Sequence, residues 1–339
     1  MIPILARRTF RMAGVVAMTT AVSYGIAMPL PYLAPLLAFM LTAAPSPPPG
    51  PKGLMVLVLA LAAALSTGLV LIPVLLNYPV VGVLLIGVGL FFSTIISIGL
   101  GKGPVGVVLA VGLTMIPAAG MMDYGLAVGV LQALLLAVTI AVLCQWLVYP
   151  LFPEDSPALE VAAPEAPQTV HWLAMRAAII VLPPVMLAFS NPGLYMPVIL
   201  KSLLLAQQDN RLNASIAGRE LVGSTVMAGV LAILFWFALQ LSPTLWFFVL
   251  WMLLFCGFGA AKFYGVLTSR FTPSFWQNTV VTMFILLGPA VQDSASGNDV
   301  YQAFAVRLGL FIAVTLYAWL AITLLERLRA GTVSPVGNL

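Results

Sequence analysis

Apolar residues in this chain come in long unbroken runs, with little alternation and few polar interruptions. The runs 54–76 and 225–241 contain no charged residue at all. A helix that crosses a bilayer needs about 20 apolar residues, whereas a barrel strand alternates over about 10. The pattern therefore predicts membrane helices. Breaking the chain at Pro, Gly and charge clusters gives twelve spans: 11–29, 31–44, 53–76, 79–98, 104–120, 124–149, 173–190, 194–208, 219–241, 244–263, 273–291 and 299–326. The second and eighth are short and contain Pro35 and Pro197, so they are expected to be broken or tilted. Arg7, Arg8 and Arg11 precede an apolar stretch that runs to Met28 without a clear cleavage box. That reads as a first spanning helix and not as a signal peptide.

Composition agrees. The 339 residues are 62% hydrophobic and 7% charged, against about 25% charged in a soluble domain. Soluble and disordered classes are excluded, leaving an all-α integral membrane protein. Cys144 and Cys256 both lie inside apolar runs, which argues for neither a disulfide framework nor a zinc site. The placement of the cations is more informative than their sum. Arg7, Arg8, Arg11, Lys52, Lys102, Arg176, Arg211, Arg219, Lys262, Arg270, Arg327 and Arg329 fall at alternate connections, and the opposite connections hold none. By the positive-inside rule those segments, and with them both termini, are cytoplasmic.

Residues 150–170 are rich in Pro, Ala and Glu without apolar periodicity, the signature of a flexible linker. They suggest a first six-helix repeat (1–150), a linker (151–170), a second repeat (171–329) and a tail (330–339). A faint duplication supports the division. At an offset of 176, Asp123 aligns with Asp299, and 134–139 (LLLAVT) aligns with 310–315 (LFIAVT). Pro117-Ala118 corresponds to Pro289-Ala290, and Pro35 to Pro197. An even number of helices per repeat predicts parallel halves related by an axis along the membrane normal.

No motif points to an enzyme. The His-Glu-x-x-His, phosphate-loop and nucleophile-elbow patterns are missing, and the segment GLGKGP at 99–104 lacks the phosphate-loop spacing. No cofactor or metal is implied. His171, the sole histidine, reads as an interfacial residue. Charges within the bilayer are costly and tend to be functional, which singles out Lys201 and Arg307. Lys201 either snorkels along its own stem or shares a helical face with Pro197, Leu204, Leu205 and Gln208. Arg307 either pairs with Asp293 or Asp299 or serves a polar pathway. Their first-half counterparts are Phe39 and Leu131, so the expectation is two unpaired cations facing an anionic ligand. Gln132 and Tyr195 are further candidates for the path. Asp209, Arg211 and Glu220 are candidates for a cytoplasmic gate or proton coupling, and Asp123 and Asp299 for the outer mouth.

The segments LPYLAPLL (30–37), LIPVLLNYPVVG (71–82), GLTMIP (112–117) and LYMPVILKS (194–202), with the six-plus-six layout, resemble the DUF2955 group. That group falls within the fusaric-acid-resistance and aromatic-acid-exporter (FUSC-like) superfamily. The resemblance implies a multi-pass protein of the bacterial inner membrane that exports small, aromatic organic anions with a periplasmic adaptor of the HlyD-like membrane-fusion type. Expected partners are therefore the lipid bilayer, the anion and the adaptor, with no nucleic acid and with homo-oligomerisation left open. A passive anion channel and a non-transporting scaffold for the adaptor are the alternatives.

Overall fold

The computed structural model describes residues 3–44, 46–154, 167–206, 214–297 and 299–333. These residues form twelve α-helices: α1 (Ile4–Gly25), α2 (Leu33–Ala43), α3 (Pro51–Asn77), α4 (Pro79–Thr94), α5 (Gly103–Gly120), α6 (Tyr124–Val148), α7 (Pro167–Ser190), α8 (Pro192–Ala206), α9 (Ala214–Gln240), α10 (Leu245–Phe263), α11 (Pro273–Ala295) and α12 (Val300–Val333). A π-helical turn, Ile95–Gly99, extends α4. No strand occurs among the described residues.

The helix starts follow local chemistry. Pro51, Pro79 and Pro273 occupy first helical positions, where the missing N–H costs nothing. The side chains of Asp123, Thr244 and Thr272 each accept a backbone N–H at the starts of α6, α10 and α11. Asp299 does the same for α12, accepting from the N–H groups of Tyr301 and Gln302 at 3.0 and 3.2 Å. α1 begins earlier than its apolar run, because Arg7, Arg8 and Arg11 find acceptors at 152–154 and the helix need not end at them.

Eight helical stretches among the described residues are long and apolar enough to cross a membrane. Leu33–Ala43, Val105–Gly120 and Pro192–Ala206 are apolar but shorter. At 1.5 Å per residue, the 11 residues of α2 extend roughly 16 Å, about half a hydrocarbon core. Large apolar side chains such as Leu59, Val80 and Leu324 point outward. An apolar exterior of this kind belongs in lipid.

The short helices are central. α2 packs on α5 and α11, and α8 packs on α5 and α11, so the four close into a quartet in the middle of the molecule. The stretch Pro273–Ser294 of α11 is 83% buried, against 28% for Pro51–Asn77 of α3. Helix pairings recur along the chain. Each pair that packs among α1–α6 has a counterpart six helices later among α7–α12. Across the halves, α1 packs on α10 as α7 packs on α4, and α2 on α11 as α8 on α5. Glycines make these crossings close. A Cβ at Gly257 would stand 3.6 Å from the Ala13 Cβ, and one at Gly87 3.3 Å from Leu182. Two residues further on, Gly89 is filled by Leu113 and Gly259 by Val280.

Candidate functional site

Lys201 lies on α8 with no exposed surface. Its Nζ donates to Asn278 Oδ1 at 3.1 Å and to Thr282 Oγ1 at 2.7 Å, both on α11. These two residues are four apart, so they share one face of their helix and meet the same side chain. The Asn278 amide donates in turn to the Ser224 hydroxyl on α9. Thr279 donates to the Phe275 carbonyl at 2.8 Å. Thr225 and Thr315 hydroxyls, from α9 and α12, lie 3.3 Å apart. All of these residues are buried. The result is a polar seam of amide and hydroxyl groups around one amine, on one side of the central quartet. An ammonium has three N–H donors, and two are taken here. Buried charges are normally paired, yet neither hydrogen-bond partner of this one is a carboxylate.

An aromatic cluster occupies another face of α11, since Phe284 is two residues beyond Thr282. Phe39 of α2 packs against Phe284 of α11 with centroids 6.1 Å apart, and against Phe263 at 6.3 Å. Towards the other end of α11, Tyr32 lies directly on Gly288, where a Cβ would fall 2.2 Å from the ring.

Arg307 differs from the expectation of an unpaired cation: it forms an ion pair with Asp293. α11 and α12 are joined by a short turn, which brings position 293 beside 307, and the partly buried arginine takes the nearest carboxylate. Among the described residues, Lys201 therefore stands without a counter-charge and Arg307 does not.

The remaining candidates are spread over the bundle. Tyr195 is partly buried near the start of α8, six residues before Lys201. Gln132 is exposed on α6 and is not a partner of Lys201. Asp123 and Asp299 are exposed helix caps at the opposite end from the cation-rich segments. Glu220 accepts from the cap residue Thr272 at 3.0 Å. Gln208, Asp209 and Arg211 lie outside the described residues. His171 packs near Phe91, with ring centroids 6.1 Å apart.

Two carboxylate clasps were not apparent from the sequence. Glu154 receives Arg8 Nε at 3.0 Å and Arg11 Nη2 at 3.0 Å, tying the start of α1 to the segment after α6. Burial pushes the Glu154 carboxyl up, but the hydrogen bonds and charges of Arg8 and Arg11 outweigh it and hold it below the ordinary glutamate range. In the second half, Glu326 of α12 receives Arg176 of α7 at 3.0 Å and the Trp172 indole at 3.0 Å. The polar partners of Lys201 were also missed. Their sequence signal is weak: Ser224-Thr225, and the four-residue spacing of Asn278 and Thr282 in the least apolar of the eight long spans.

Among the described residues, no group of three or more His, Cys, Asp or Glu is placed to hold a metal ion. No curated protein and no solved structure matches the chain. A family model does match part of the chain: residues 8–148, from α1 through the end of α6, fit the model described as a protein of unknown function, DUF2955.

Proposed function

We propose that this protein is a membrane transporter that exports small organic anions. The observation that carries the reading is Lys201, fully buried with only amide and hydroxyl partners. An intramembrane ionisable group of this kind marks a substrate or ion pathway by default. Its position adds weight. Unusually short apolar helices at corresponding places in two halves point to a transporter's binding site. Here α2 and α8 are such a pair, and Lys201 is on α8.

In this reading twelve chain segments cross the bilayer, the short α2 doing so together with the non-helical residues at its ends, with both termini in the cytoplasm, as two parallel six-helix repeats. Support comes from the recurrence of helix pairings six helices apart, from the caps Asp123 and Asp299, and from the Glu154 and Glu326 clasps at corresponding ends. The setting is the bacterial inner membrane, within the FUSC-like superfamily, and a HlyD-like periplasmic adaptor receives the exported anion. The Arg307–Asp293 pair sits near the outer mouth.

The test is efflux of 4-hydroxybenzoate from proteoliposomes holding wild-type protein or Lys201→Met. Loss of most of the protein-dependent flux is expected in the variant. Wild-type flux from a folded Lys201→Met protein would overturn the assignment. Collapsing the proton gradient and the membrane potential separates an active exporter from a passive channel, because a channel still equilibrates its anion.

A further inference from the structure

Four helices pack against α8: α5, α7, α11 and α12. α5 carries no charged residue. On α7, Arg176 is neutralised by Glu326 of α12. On α11 and α12, Asp293 and Arg307 neutralise each other, while Arg327 is exposed and Arg329 lies over the Trp172 ring, both beyond Glu326 at the far end of α12. Arg8 and Arg11, at the cation-rich end of the first half, share Glu154. Of the three buried cations among the described residues, Arg11 and Arg176 thus have carboxylates, and Lys201 has Asn278 and Thr282. The pseudo-equivalent position on α2 is Phe39, so the first half supplies no second charge at that position.

From this count we infer that the site at Lys201 is specific for monovalent anions and rejects dianions of the same shape. The inference rests on the anion-transport reading above and narrows it. A single carboxylate would complete the Nζ donor set and bring the seam to neutrality. A second carboxylate would enter the same interior with hydroxyl and amide groups alone to meet it, and an unpaired buried charge is strongly disfavoured. Neutral hydroxyls do not make up the difference, because the O–H groups of Ser224, Thr225, Thr279 and Thr315 already donate to backbone carbonyls of their own helices.

Terephthalate and monomethyl terephthalate provide the probe: one ring, with two carboxylates in the first and one in the second. Flux of each is measured at neutral pH in proteoliposomes bearing the wild-type chain, with protein-free liposomes subtracted. At least a tenfold preference for the monoester is expected, and Lys201→Met should bring both fluxes to the protein-free level. Equal fluxes, or faster terephthalate, would overturn monoanion selectivity and leave anion transport standing. If neither compound moves, the transport reading falls along with it. The wild-type ratio needs no variant, so a poorly folding mutant does not blunt the test.

Discussion

At the scale of single residues, stability and function should separate at Lys201. A structural ion contributes to folding, and its removal destabilises. A buried ion without a counter-charge is a cost that folding bears, so an apolar replacement of similar length is expected to be neutral or stabilising. Thermal unfolding in detergent is therefore expected to place Lys201→Met at or above the wild-type Tm, with transport lost. Asn278→Leu should act in the opposite direction. It removes an oxygen from the Lys201 amine and a donor from Ser224, at about 1–3 kcal/mol for each buried polar group left unsatisfied. A lower Tm for Lys201→Met than for Asn278→Leu would show that the amine is structural. Lys201 stood out in the sequence because a charge in an apolar run has no cheap explanation. Its partners did not, because they are 77 and 81 residues away, and Asn or Thr in a spanning run is unremarkable until a neighbour is known. Arg307 had two readings in the sequence, and the α11–α12 turn decided between them by bringing Asp293 to it.

Elements were the most readable level, since run length and punctuation are properties of the chain itself. A helix forms over each of the twelve apolar runs, with ends shifted where a tertiary partner extends them, and eight helical stretches among the described residues are long and apolar enough to cross a membrane. α1 is the clearest case: Arg8 and Arg11 would end an isolated apolar helix, but Glu154 accepts both. That contact yields a prediction with a defined pH dependence. The Glu154 carboxyl titrates below its unfolded value, so its contribution is complete above the ordinary glutamate pKa of about 4.3. It is lost as the pH falls through the lowered folded value. Glu154→Gln should therefore cost about 1–3 kcal/mol near neutrality, as charge-assisted hydrogen bonds to two arginines are weakened. The gap between variant and wild type should close as the solution is acidified well below that range. Detergent unfolding across the pH series measures both. A gap independent of pH would mean that packing at 152–154, and not the carboxylate, holds α1 in place.

At the scale of the whole molecule, the arrangement of the halves is the level at which sequence was least sufficient. At the offset of 176 that aligns Asp123 with Asp299, the glycines that set the crossings do not align with one another. Gly87 and Gly89 recur as Gly257 and Gly259 at an offset of 170, because the connections differ in length between the halves. Each pair does the same physical work. The first glycine lets α4 or α10 approach the leading helix of the opposite half, and the second lets it approach the fifth helix of its own. Close approach of this kind favours packing inside a membrane, where small residues bring backbones together and no water drives the contact. The α1–α10 crossing can be tested directly. A Cβ at Gly257 would lie 3.6 Å from that of Ala13, within the roughly 3.5–4.5 Å that a disulfide requires. Ala13→Cys with Gly257→Cys, in a chain with Cys144 and Cys256 replaced by Ser, should therefore cross-link on mild oxidation. With a protease site placed between residues 155 and 166, the cleaved halves should then run as one species on a denaturing gel until reduced. Ala13→Cys with Gly229→Cys provides the control, because Gly229 faces Leu308 of α12 instead of α1. If the two pairs cross-link equally, or if neither does, the packing of α1 against α10 would have to be redrawn.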